Sequence, residues 1–211
     1  MTDDGRPFAV AARFGQLLLV ALVGYGALAG RLTVVTNGLL ALALTGVPAV
    51  VDWYYAHETD PRLLLWIVLA ALLHVAGFLG AYSVQTGLLS WYDQVAHMVS
   101  AALVAGVGYA ILVALDRRSR RNRFPGSFRF VFTVALVMAV GVSWEILEFG
   151  AGTVAGLLGA DEVLVQYGTD DIVFDLTFNT LAGVLVAVWG TGYFTGLTSL
   201  FRRHWPGSGN S

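Results

Sequence analysis

The stretch from Tyr92 to Arg123, YDQVAHMVSAALVAGVGYAILVALDRRSRRNR, decides the fold. No Asp, Glu, Lys or Arg falls between Asp93 and Asp116. An apolar run of about 20 residues is what a helix needs to cross a bilayer. The run closes on Arg117, Arg118, Arg120, Arg121 and Arg123. Such a cluster is retained on the cytoplasmic side, so it orients the span. The opposite end carries Asp93 and His97, four residues apart and therefore on one helix face.

Working outward, similar runs recur along the chain. The hydropathy pattern predicts six spans, at 12–30, 33–52, 63–83, 92–115, 128–150 and 172–198. The expected architecture is an all-α, polytopic membrane bundle with both termini in the cytoplasm. Residues 1–203 form a single transmembrane domain and 204–211 a disordered tail. Composition agrees, with 57% hydrophobic and 12% charged residues against about 25% charged in soluble domains. Mean hydropathy is +0.71. Arg6, Arg13, Arg62, Arg202 and Arg203 all fall on the inner side, and Arg31 alone falls outside. Trp53, Tyr54 and Tyr55 suit an inner interfacial belt, and Trp91 and Tyr92 an outer one. A competing reading of the first span is a signal peptide ending at Ala27-Leu28-Ala29-Gly30, whose cleavage would leave five spans. The chain has no cysteine, which excludes disulfides, thiolate zinc sites and cysteine nucleophiles.

Three acidic clusters interrupt the oily spans. They are Asp93 with His97, Glu145 with Glu148, and Asp171 with Asp175 and Asn179. Their placement in spans four, five and six brings all three to one depth, near the extracytoplasmic face. Ionisable groups within spans cost roughly 2.5–3.5 kcal/mol each on insertion scales, which marks a functional site. Each has a plainer role. Asp93 follows Ser90 by three, much like a capping box, and Asp170 or Asp171 can cap the last span. Asp175 and Asn179 lie too deep to cap. Glu145 and Glu148, placed near the outer end of a span closing at 150, would oppose the helix dipole and call for a cation, a proton or a partner. His74 sits mid-span, from where it can approach the site from the side. The segment 151–170 reads as a Gly-rich outer loop, with Gln166 and Tyr167 at the site entrance.

These residues form an ordered series. Asp93-x-x-x-His97 opens one helix, Trp144-Glu145-Ile146-Leu147-Glu148-Phe149 follows, and Gln166 to Asp171 leads into Asp175-x-x-x-Asn179-x-x-x-Gly183. Over roughly residues 90–190 the series resembles the YjdF-type family of inner-membrane proteins, and more distantly the VanZ-like (teicoplanin-resistance) proteins. The resemblance implies a polytopic cell-envelope protein whose signature positions are Asp93, His97, Glu145, Glu148, Asp171, Asp175 and Asn179. Gln94 departs from VanZ, where Lys typically follows the first Asp, and the basic residue expected before the last helix is missing.

The sequence therefore supports three functions. The first is a metal-dependent hydrolase or transferase acting on a lipid or polyprenyl-linked substrate. Asp93, His97, Glu145 and Asp175 would hold Mg²⁺, Mn²⁺ or Zn²⁺, Glu148 or Asp171 would be a general base activating water, and Asn179 completes the catalytic set. The second is a proton- or ion-coupled transporter. The third is a non-catalytic accessory protein whose clusters lock helices together. The expected partners are membrane lipids rather than nucleic acid, and the expected location is a bacterial inner membrane or an archaeal plasma membrane.

Overall fold

The computed structural model describes residues 5–83, 88–118, 124–159, 164 and 168–189. Its α-helices are α1 (Arg6–Leu28), α2 (Leu32–Tyr55), α3 (Pro61–Gly77), α4 (Tyr92–Arg118), α5 (Gly126–Leu158) and α6 (Thr169–Trp189). Short 3₁₀ turns at Ala81–Ser83 and Leu88–Trp91 lead into α4. Among the described residues there is no strand. Every helix except α3 is long and apolar enough to cross a membrane. At about 1.5 Å per residue, the 17 residues of α3 rise only about 25 Å.

Local chemistry sets the boundaries. Pro61 opens α3 where a missing N–H costs nothing, and the Asp60 carboxylate accepts from the Arg62 backbone N–H at 2.9 Å. Thr59 closes the α2–α3 link by donating its hydroxyl (2.8 Å) and its N–H (3.2 Å) to Asp52. Gly159 ends α5 in the left-handed region, with φ +62°.

The helices pack as two groups of three. In one, α1, α2 and α3 meet around Leu19, Val34, Ala41 and Val75. In the other, α4, α5 and α6 meet around Ala101, Ala105, Val137, Ala182 and Val186. Small side chains let these helices approach closely, which in lipid replaces the hydrophobic drive between them. The groups join through α3 and α4, where Leu63 and Ala110 are buried among Trp66, Ile67 and Leu103. Trp53 and Tyr54 are highly exposed, in keeping with an interfacial belt.

Three expectations are revised. The third helix stops at Gly77 rather than 83, because a 3₁₀ turn with Gly80 at φ +125° replaces its last part. The fifth continues to Leu158, so 151–158 is helix and not loop. Its Gly/Ala/Leu run carries no proline and stops only at the left-handed Gly159. Glu145 is consequently about 20 Å from the end of its helix, and the helix-dipole argument for a counter-charge fails. The expected end of span six, Gln166, Tyr167, the tail, and Arg120, Arg121 and Arg123 lie outside the described residues.

Candidate metal centre

Two antiparallel helices set the register of the site. On α5, Gly141 lies one turn before Glu145, and on α6, Asn179 lies one turn after Asp175. A Cβ at Gly141 would stand 2.8 Å from Asn179 Nδ2 and 3.2 Å from Leu176 Cδ2. The missing side chain thus makes room for the Asn179 amide, which is 4% exposed. One turn along, the same approach sets Glu145 and Asp175 facing the same interior, at 5% and 1% exposure.

Asp93 and His97 arrive from the first turns of α4. Asp93, His97 and Asp175 each offer one ligand atom, and the three atoms all lie within 4.8 Å of one another. His97 Nε2 is 3.6 Å from Asp93 Oδ1 and 3.7 Å from Asp175 Oδ2. Both separations exceed hydrogen-bond length. They match two ligands of one cation, since bonds of about 2.0–2.2 Å in tetrahedral geometry put ligand atoms roughly 3–4 Å apart. The second Asp175 oxygen, Oδ1, is buried with no hydrogen-bond partner among the described residues. A buried carboxylate oxygen left this way costs several kcal/mol, on the order of the penalty for an uncompensated buried charge.

The other expected residues surround this triad. Glu145 is buried on α5 within electrostatic reach of Asp93 and Asp175, but its carboxylate is not among the three clustered ligand atoms. Asp171 lies one turn from Asp175 on α6, and its carboxyl is within hydrogen-bond reach of Asp93. Glu148 is 7% exposed and accepts from the Trp144 indole N–H at 2.9 Å. Asp170 is exposed in the first turn of α6, the placement of a dipole-complementing residue.

A layer of polar and aromatic groups from the first half of the chain borders the acidic cluster. His74 Nε2 is 3.1 Å from Asn37 Oδ1, and the Tyr82 hydroxyl is 3.3 Å from His74 Nδ1. The His74 ring stands edge-on to Trp144 at 5.6 Å, and Tyr82 edge-on to Tyr92 at 5.6 Å. Tyr92 donates its hydroxyl to the Leu73 carbonyl at 2.7 Å. A Cβ on Gly77 would overlap the Tyr82 ring, so glycine at the end of α3 admits this phenol. Burial pushes the Tyr82 phenol upward from its ordinary value, and Asp93, Glu148 and Asp175 add to the shift. It stays protonated. His74 was expected at the side of the site; Asn37 and Tyr82 were not expected, and Trp144 stood in the motif without a role. The four-residue spacing of Trp144 and Glu148 was the available clue.

Fold and site together define a polytopic helical membrane protein with a buried carboxylate–histidine cluster at one end of its bundle. The chain belongs to the family described as "predicted membrane protein (DUF2238)", whose model matches residues 10–196. No curated protein and no solved structure matches it.

Proposed function

We propose that this protein binds a divalent cation through Asp93, His97 and Asp175 and uses it for hydrolysis or group transfer on a lipid or polyprenyl-linked envelope substrate. The carrying observation is the convergence of three ligand atoms within 4.8 Å around an Asp175 whose Oδ1 is buried without a partner. One histidine with two carboxylates suits Mn²⁺ or Zn²⁺, and the oxygen-rich surroundings also suit Mg²⁺. A cation there supplies Lewis acidity and an acidified water. With a cation held there, Glu148, fixed by Trp144, or Asp171 beside Asp93 would be the general base. Asn179 and Glu145 hold the α5–α6 wall in register.

The lipid character of the substrate rests on α5. Beyond Glu148 the helix continues for about 15 Å with Phe149, Val154, Leu157 and Leu158 exposed. Apolar surface that extends past the site suits acyl or polyprenyl chains on both sides of it. The distribution of arginines supports an extracytoplasmic location for this end of the bundle, with both termini inside.

Transport is the less favoured reading. Thr45 and Thr133, both fully buried away from the site, donate their hydroxyls to carbonyls of their own helices, Leu42 at 3.0 Å and Arg129 at 2.8 Å. They are satisfied locally and do not continue a polar path.

The test uses purified protein in vesicles of its host's own lipid extract, with Mg²⁺, Mn²⁺ or Zn²⁺ added and head-group release followed by lipid mass spectrometry. A cation-dependent product lost in Asp93→Asn and Asp175→Asn is expected. The same product level in both variants overturns the catalytic assignment. Because the chain has no cysteine, single cysteines at Gly159 and Thr59 would report the topology. Membrane-impermeant labelling from outside at 159 and not at 59 is the expected pattern.

A further inference from the structure

The Thr33–Asn37–His74–Tyr82 chain fixes the direction of each of its hydrogen bonds. The Thr33 carbonyl can only accept, so the group 2.9 Å from it is the Asn37 amide nitrogen. The Asn37 oxygen therefore faces His74 Nε2, at 3.1 Å. An amide oxygen also only accepts, so His74 carries its proton on Nε2 and leaves a lone pair on Nδ1. Tyr82 must then donate its hydroxyl hydrogen to Nδ1, at 3.3 Å. The Tyr82 oxygen is left with acceptor capacity only, and its ring lies against Tyr92, the neighbour of Asp93.

A phenol within electrostatic reach of Asp93, Glu148 and Asp175 would ordinarily donate to one of these carboxylates. Here the donor is turned toward His74, and the Asp93, Glu148 and Asp175 carboxylates within reach of the phenol are acceptors. Such a constellation needs a hydrogen-bond donor at its centre. A water bound to a cation is a donor with both hydrogens available.

We propose that Tyr82 is a positioning residue of the metal centre: its oxygen accepts a hydrogen bond from water bound to the cation at Asp93, His97 and Asp175, and the Thr33–Asn37–His74 chain enforces that role. This rests on the metal-centre reading above and extends it to the first half of the chain. Outer-layer partners of this kind typically contribute about 10–100-fold to metal affinity.

Two measurements test it. Histidine ¹⁵N NMR on the metal-free protein, with His74 assigned by its loss in His74→Asn, reads the tautomer. The expected signature is a protonated Nε2 and a bare Nδ1; a protonated Nδ1 overturns the inference, because Tyr82 would then be an acceptor toward His74. Mn²⁺ and Zn²⁺ titrations of wild type, Tyr82→Phe, His74→Asn and His74→Leu read the consequence. Tyr82→Phe and His74→Leu should each weaken binding by about 10-fold or more. His74→Asn, whose amide oxygen replaces Nδ1 as acceptor, should recover most of the loss. Wild-type binding with an unchanged Tyr82→Phe affinity overturns the inference alone. No binding of either cation to wild type overturns the metal centre, and this inference with it.

Discussion

Gly141→Ala is the substitution that most sharply tests how the site is built. The new methyl carbon would stand 2.8 Å from Asn179 Nδ2 and 3.2 Å from Leu176 Cδ2. The first separation is closer than a carbon tolerates, and Asn179 cannot swing away because it is buried between α5 and α6. Overpacking of this kind costs typically about 1–3 kcal/mol. Against it stands the gain of alanine over glycine inside a helix, about 1 kcal/mol. Gly150→Ala, on the same helix but with no atom within 4 Å of its Cβ, collects the gain without the clash. Thermal unfolding of both variants in one detergent, followed by tryptophan fluorescence, separates the two effects. Gly141→Ala should be less stable than wild type and Gly150→Ala at least as stable. Because Gly141 and Asn179 set the register of Glu145 and Asp175, Gly141→Ala should also weaken cation binding, whereas Gly150→Ala should not. A Gly141→Ala protein as stable as Gly150→Ala would refute the close α5–α6 approach.

Further outcomes follow from the groups around the site. Trp144→Phe removes the donor to buried Glu148 and should cost about 1–3 kcal/mol, the penalty for an unsatisfied buried acceptor; Glu148→Gln keeps an acceptor oxygen and should cost less in the same melting assay. Gly77→Ala drives a methyl into the Tyr82 ring, so its loss of stability should be of the overpacking size and should be relieved in a Gly77→Ala, Tyr82→Leu double variant. Tyr82 has a folded-state phenol raised above its ordinary value of 10.0. Its contribution to stability is complete below that value and falls away as pH rises beyond it, because the unfolded phenol then ionises while the folded one does not. The melting temperature of wild type should therefore drop more steeply above about pH 10 than that of Tyr82→Phe.

Much of this was legible in the sequence, for identifiable reasons. Helix existence follows from long apolar runs, and the order of the acidic clusters follows from alternating span direction. Asp93, His97 and Asp175 could be brought together because four-residue steps place side chains on one face and neighbouring spans are antiparallel. The end of α5 was not legible, because Gly-rich 151–158 has the composition of a loop. It is helical as the continuation of a long apolar helix stopped by a left-handed glycine. The sequence offered Glu145 as a ligand, and its carboxylate is not among the three clustered atoms; which of two facing carboxylates reaches a given point depends on rotation about the helix axis, and helical spacing does not fix that between helices. Tyr82 was hidden in what read as uniform span, although Gly77 and Gly80 mark the place where the helix gives way. Asn37 is one polar residue in an apolar helix, and only packing of α2 on α3 shows its His74 partner.

The functional assignment depends on Asp93, His97 and Asp175 holding a cation. The most direct measurement is metal content by mass spectrometry of detergent-purified protein, loaded with Mg²⁺, Mn²⁺ or Zn²⁺ and washed, for wild type and an Asp93→Asn, Asp175→Asn double variant of unchanged helicity. Near-stoichiometric metal in wild type and none in the variant is the predicted result. Metal absent from both proteins, or retained equally by both, would contradict the account.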